Sequence, residues 1–114
     1  MTTPAPQPLV QAVLATAPKA ESREGTGIGT VYAFIVDKAA GRATHAVLSL
    51  GGMLGLGKSY YPVPFALLQF DPVRDVYVVT VDPQVLKGGP SWASHAPDFD
   101  AAYADRVARY YAGN

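Results

Sequence analysis

Two prolines, Pro62 and Pro64, place the strongest constraint on the fold, because they follow a glycine-rich segment that resembles a nucleotide-binding loop. Residues 52–59 fit the phosphate-loop pattern G-x-x-x-x-G-K-[ST] letter for letter. That loop holds phosphate only when a helix leaves its Lys-Ser end, so that backbone N–H groups converge on the anion. Each proline removes an N–H donor and disfavours the helical conformation of the residue before it. A helix therefore cannot run on from Lys58 and Ser59, and we expect no nucleotide binding here.

The charge and composition of the chain exclude several functional classes. Nine Lys and Arg balance nine Asp and Glu over 114 residues, whereas nucleic-acid-binding domains normally carry a basic excess. The absence of cysteine excludes disulfides, thiolate metal sites and cysteine nucleophiles. Residues 9–15 are too short and mixed for a signal peptide or a membrane span. We therefore expect one small cytoplasmic domain that neither binds nucleic acid nor inserts into a membrane.

Short runs of β-branched and aromatic residues begin at residue 27 and predict an all-β barrel or sandwich. Turn residues separate these runs at intervals of about 8–12 positions, which is typical of such folds. A single helical turn, opened by Pro64, is predicted at residues 64–67. The predicted strands cover residues 29–36, 43–50, 60–63, 68–70 and 76–81.

The segment before residue 27 has a weaker pattern. Residues 1–8 are rich in proline and alanine, which is typical of a disordered or extended tail. Residues 9–14 are apolar and fit either a first edge strand or a helical turn, and residues 15–26 predict a loop. We therefore assign residues 1–24 to a flexible tail that includes a weak first strand if residues 9–14 are extended.

Two helices are predicted after the last strand. Asp82 caps a short helix that has Pro83 at its first position and ends at Gly88. Asp98 is a suitable cap for a second helix over residues 99–112. We expect its apolar stripe to be buried against the barrel or against a partner. The stripe consists of Phe99, Tyr103, Val107, Tyr110 and Tyr111.

The predicted strand over residues 29–36 is apolar on both faces. Alternation places Val31, Ala33 and Ile35 on one face, and the other face carries Tyr32, Phe34 and Val36. Such strands are usually covered on both sides, and one amphipathic helix covers only part of that surface. A net charge of zero also removes long-range repulsion between copies. We therefore predict a homodimer, with an unidentified protein as the other partner considered. The candidate interface residues are Tyr32, Phe34, Met53, Leu54, Leu56, Tyr103 and Tyr110.

The order of these segments is similar to that of a known family. It comprises a Gly29-x-Val31 strand ending at Asp37, a turn with Gly41, Gly51-Gly52, a Leu54-Gly55-x-Gly57 loop, and Val63-Pro64. This order resembles the PRC-barrel family, named for the cytoplasmic domain of the photosynthetic reaction-centre H subunit, over residues 25–92. The resemblance implies a small, strongly bent antiparallel β-barrel with short helical turns, followed by a C-terminal helical extension at residues 93–114. It implies an interaction or assembly module, with no catalytic residues and no cofactor.

An alternative function uses the tyrosines at the barrel mouth to bind a small ligand or to lie beside a pigment. Two histidine-containing patterns have simpler interpretations. His45 lies within a strand and is expected to be structural or surface-exposed. His95, Asp98 and Asp100 could hold a hard cation, but helix capping and the helix dipole account for both carboxylates. We therefore predict no metal site.

Overall fold

A long central strand organises the fold, which a computed structural model describes for residues 8–51 and 57–113. The strands are β1 (Leu9–Val13), β2 (Lys19–Glu21), β3 (Gly27–Asp37), β4 (Arg42–Leu50), β5 (Ser59–Pro64), β6 (Leu68–Asp71) and β7 (Val76–Val79). The helices are α1 (Pro83–Lys87) and α2 (Ala101–Ala112), and a 3-10 turn covers Phe65–Leu67. The predicted strands are thus present, with bounds that differ by at most two residues.

The central strand β3 has neighbours along both of its edges. On one edge it pairs with β4. On the other, β1 pairs with its second half and β2 with its first half. The sheet order is β5-β4-β3-β2-β7-β6, and the sheet curls into a half-barrel. β1 resolves the choice between strand and helical turn, and β2 occupies part of the predicted loop.

The sheet is mixed, which corrects the prediction of a fully antiparallel barrel. β2 and β7 run parallel, with Lys19 opposite Val76 and Glu21 opposite Val78. Parallel neighbours need a long crossover connection, and four strands separate β2 from β7 in the chain. Hydrophobic alternation indicates which residues are extended, but it does not indicate the direction of the neighbouring strand.

A β-bulge at Tyr32 changes which side chains share a face of β3. The pairing passes from Val31 opposite Leu48 to Ala33 opposite Val47, so Tyr32 has no partner in β4. A bulge places two successive side chains on the same side. The prediction that Val31 lies on the same face of β3 as Ala33 and Ile35 was therefore wrong.

The apolar side chains form two clusters. The main core lies inside the half-barrel and includes Val31 and Leu48, with Phe34 packed against it. The outer cluster consists of Ala33, Ile35 and Val47 on the opposite face of the sheet. Both faces of β3 and β4 are therefore covered within a single chain.

The two helices begin and end close to the predicted positions. The Asp82 carboxylate accepts from the Gln84 N–H at 2.7 Å, and Gly88 follows the last residue of α1, as predicted. Asp100 caps α2 by accepting from the Tyr103 N–H at 2.8 Å. The prediction that Asp98 caps this helix was wrong by two residues. Aspartate occupies both position 98 and position 100, and either side chain is able to cap a helix.

Candidate interaction surface

A row of aromatic rings covers the outer cluster. Trp92 pairs with Tyr60 through two backbone hydrogen bonds of 2.8 and 3.0 Å, which places its side chain beside β5. The rings of Tyr60 and Trp92 stack with centroids 5.9 Å apart. Tyr32 lies 4.7 Å from Tyr60, and Phe99 lies 5.7 Å from Trp92. All four side chains are half-buried, so this outer row combines packing with a partly exposed aromatic surface.

Helix α2 closes one side of the main core. Val107 is fully buried, and Tyr103 and Tyr111 are each 7% exposed. The Tyr110 hydroxyl donates to the Val85 carbonyl at 2.7 Å. Three residues of the predicted apolar stripe are therefore buried against the chain's own barrel, whereas Phe99 precedes the helix and, like Tyr110, is half-buried.

Burial alters the acidity of the two enclosed tyrosines. Desolvation raises the pKa of Tyr103 to about 12, although the nearby Arg106 guanidinium opposes that rise. Desolvation also raises the pKa of Tyr111, and the neighbouring tyrosines add to the effect. Neither hydroxyl has a hydrogen-bond partner among residues 8–51 and 57–113. Both side chains therefore stay neutral at physiological pH and act in packing.

A second aromatic group reaches the surface at the β6 end of the sheet. Phe34 contacts Phe65 with ring centroids 5.4 Å apart and Tyr77 at 6.3 Å. Phe70 continues the group, because its ring lies 5.0 Å from that of Tyr77. Phe70 is 49% exposed, so the group extends from the main core to solvent.

Large apolar side chains are exposed on the strands at the edges of the sheet. On β1, Val10 is 43% exposed and Val13 is 56% exposed. In the described ranges β1 pairs with β3 alone and β6 pairs with β7 alone. An edge strand presents unpaired N–H and C=O groups to other chains. These edges combine free backbone groups with apolar side chains, which is the chemistry of a protein-binding surface.

The structure distributes the predicted interface residues among different environments. Tyr32 belongs to the outer row, Phe34 to the second aromatic group, and Tyr110 to the contact between the helices. Tyr103 is enclosed by its own chain. The remaining three lie outside the described residues: Met53, Leu54 and Leu56.

Sequence reasoning did not select Val10, Val13 or Phe70. Their signal was available for β1, because residues 9–13 contain no charged side chain to protect an edge. The unprotected edge was missed because the sequence left residues 9–14 open between an edge strand and a helical turn.

The two histidines lie in different environments. The Thr44 hydroxyl lies 2.7 Å from His45 Nδ1, and burial lowers the pKa of this histidine. His95 is exposed, and its Nδ1 lies 3.1 Å from the Ser94 hydroxyl oxygen. No three His, Asp or Glu side chains meet as metal ligands in the part of the chain that the structure describes.

The phosphate-loop pattern leads into a strand. β4 ends at Leu50, Lys58 is exposed, and β5 begins at Ser59. The predicted absence of a helix at this position is confirmed. The backbone after Lys58 consequently pairs with β4 instead of converging on an anion.

These features define a class of small β-barrel domain with a mixed, curled sheet and a C-terminal helix docked onto its core. The sequence profile of the PRC-barrel domain matches residues 21–86, more than half of the chain, and the chain belongs to this family. The PRC-barrel is generally non-catalytic and is often involved in protein interactions. A search of curated proteins found no match. Within the described ranges, no helix is both long and apolar enough to cross a membrane.

Proposed function

We propose that this chain is a non-enzymatic PRC-barrel module of the cytoplasm, acting through protein–protein contacts and associating with a second copy of itself. The observation that carries the proposal is the exposure of Val10, Val13 and Phe70 on strands whose second edge has no neighbour among the described residues. Apolar side chains next to unpaired backbone groups favour addition of another chain. A zero net charge adds no long-range repulsion between copies.

Symmetry supports a second copy as the first partner to test. In a twofold dimer the same surface patch of each subunit forms the interface, so one contact buries the exposed patch on both copies. A stable interface of this kind buries on the order of 1,000 Å² or more in total. The candidate residues that keep some exposure are Tyr32, Phe34 and Tyr110.

Light scattering across a dilution series tests self-association directly. We expect a mass of twice 12.0 kDa at micromolar concentration, falling toward 12.0 kDa on dilution. A constant mass of 12.0 kDa up to high micromolar concentration would contradict self-association. Interaction with a different protein would then be the remaining form of the proposal.

A second candidate function is binding of a small aromatic ligand, and the outer row of rings is the observation that favours it. Trp92 is the only tryptophan, so its fluorescence reports on that row alone. Titration with anilinonaphthalene sulfonate should give saturable quenching if a ligand site exists, and Tyr60→Ala should abolish it. A linear, non-saturating response, unchanged in Tyr60→Ala, would reject this function.

A further inference from the structure

The outward backbone groups of β1 are arranged so that a second, antiparallel copy of β1 can hydrogen-bond to them. The Leu14 N–H donates to the Tyr32 carbonyl at 3.0 Å, and the Lys38 N–H donates to the Pro8 carbonyl at 2.7 Å. Both pairs lie in one uninterrupted antiparallel register with β1. Bonded and non-bonded pairs alternate in such a ladder, so Val10 and also Ala12 direct their backbone groups toward β3.

The amides of Leu9, Gln11 and Val13 therefore point away from β3. β1 has no second neighbouring strand within residues 8–51 and 57–113. These three outward positions are spaced evenly about Gln11. When two copies of β1 run antiparallel with Gln11 opposite Gln11, Leu9 faces Val13 of the other copy, and every outward group meets an outward group. A shift of one residue would set outward groups against inward ones.

The Gln11 side chain provides a second, independent observation. Its Oε1 atom is buried and has no hydrogen-bond partner among the described residues. A buried acceptor without a donor costs free energy. A primary amide carries both a donor and an acceptor, so two Gln11 side chains would satisfy one another once each has rotated its amide from the buried position toward the second copy.

The composition of the edge favours a second copy over the chain's own N-terminal segment. β1 carries no charged residue, whereas protected edges commonly carry lysine or proline. Residues 1–7 contain prolines at positions 4 and 6, which lack the N–H groups that an added strand must donate. A copy of β1 lacks neither donors nor acceptors at its three outward positions.

From this pattern we propose that two copies of the chain pair through β1, antiparallel and centred on Gln11, so that their two sheets join into one. This inference rests on the proposed function, because it specifies the surface through which self-association occurs. Val13, exposed in the single chain, would then pack beside Leu9 of the second copy.

Cysteine crosslinking tests the pairing and its register, since the chain contains no cysteine. Directly opposed bonded residues have Cα atoms about 5.5 Å apart, within the range of about 4.4–6.8 Å that a disulfide spans. Gln11→Cys should therefore form a covalent dimer under mild oxidation. Val13→Cys should not form one, because each Val13 faces Leu9 of the second copy. The two Val13 positions are then offset by four residues along the strand, at about 3.4 Å per residue. Val73→Cys in the exposed β6–β7 turn measures random collision.

Charge variants provide a test that does not depend on oxidation. Gln11→Lys should weaken the dimer by about fivefold because like charges would face each other, and an equimolar mixture with Gln11→Glu should restore pairing. Val73→Lys adds the same charge elsewhere and should leave the dimer unchanged. Circular dichroism confirms that each variant is folded.

The outcomes separate this inference from the proposed function. A dimer that persists in Gln11→Lys, with no preferential crosslink for Gln11→Cys, would overturn pairing through β1 and leave self-association standing. A parent protein that is monomeric across the dilution series would overturn both. Equal crosslinking of Gln11→Cys and Val73→Cys would also reject the proposed register.

Discussion

The Tyr110 hydroxyl in α2 donates a 2.7 Å hydrogen bond to the Val85 carbonyl in α1, which ties the two helices together. The next residue, Tyr111, is buried beside it, and its hydroxyl has no partner in the described ranges. Neighbouring tyrosines on one helix thus differ in the contribution of their hydroxyl groups.

Removing the Tyr110 hydroxyl should destabilise the protein, whereas removing that of Tyr111 should not. Tyr110→Phe loses the bond to Val85, and a hydrogen bond of this kind contributes about 0.5–1.5 kcal/mol. Tyr111→Phe removes an unsatisfied buried group and should be neutral or stabilising. Urea unfolding of both variants measures the difference, and equal losses of stability would contradict it.

Replacing Gly29 by alanine should destabilise the sheet, because an added Cβ would collide with the Ser49 carbonyl oxygen. Gly29 also has a φ of +158°, which side chains disfavour. Forced repacking of this kind costs about 1–3 kcal/mol. Gly27→Ala is a matched control in the same strand, since its Cβ would meet nothing within 4 Å. Chemical unfolding should separate the two variants, and similar midpoints would disprove the close approach.

Stability should fall in mild acid because of His45. Burial lowers its pKa from the usual 6.5. As the pH falls, His45 therefore binds a proton in the unfolded chain before it does so in the folded chain. The contribution of this residue is complete above pH 6.5 and is lost as the pH falls through the folded pKa. His45→Gln should flatten the decline in Tm between neutral pH and pH 5, whereas His95→Gln, at an exposed position, should not. A parallel decline in both variants would exclude His45 as the cause.

Stability should also fall in strong alkali because of the buried tyrosines. Desolvation raises the pKa of Tyr103 from 10.0 to about 12, so the unfolded chain loses its proton first as the pH rises. The stabilisation is present below pH 10.0 and is lost as the pH approaches the folded value. The double variant Tyr103→Phe, Tyr111→Phe should show a smaller decline in Tm above pH 10.0. An unaltered decline would place the alkaline transition elsewhere.

The phosphate-loop pattern should not confer nucleotide binding. The chain after Lys58 forms β5 instead of a helix, so no helix N-terminus follows this segment to hold a phosphate. Titration calorimetry with ATP and Mg²⁺ should give no saturable heat at sub-millimolar concentration, for the parent and for Lys58→Ala alike. Tight binding that Lys58→Ala removes would refute both the fold at this position and its interpretation.

Local chemistry made most strands and both helices predictable. Apolar runs bounded by turn residues located β3, β4 and β7, and the Asp82-Pro83 pair located α1. The cap of α2 was displaced to Asp100 because Asp98 has the same capping chemistry and local sequence cannot rank them. The family-specific glycine pattern then indicated how the strands combine.

The features that shape the surface depend on tertiary pairing and could not be predicted. The bulge at Tyr32 exists only in relation to β4, and no local residue marks it. β2 is three residues long and contains two charged side chains, Lys19 and Glu21. It is a strand because β3 and β7 lie on either side of it. The outer edge of β1, which has no strand beside it in the described part of the chain, likewise becomes visible only when the strand pairing is known.

The docked helix makes the folding unit larger than the segment by which the family is recognised. The matched segment ends at Leu86, yet the main core also contains Ala20 before it and Tyr103, Val107 and Tyr111 after it. Excision of the matched segment alone would open that core to water. A fusion or truncation that keeps the barrel intact must therefore carry flanking sequence on both sides.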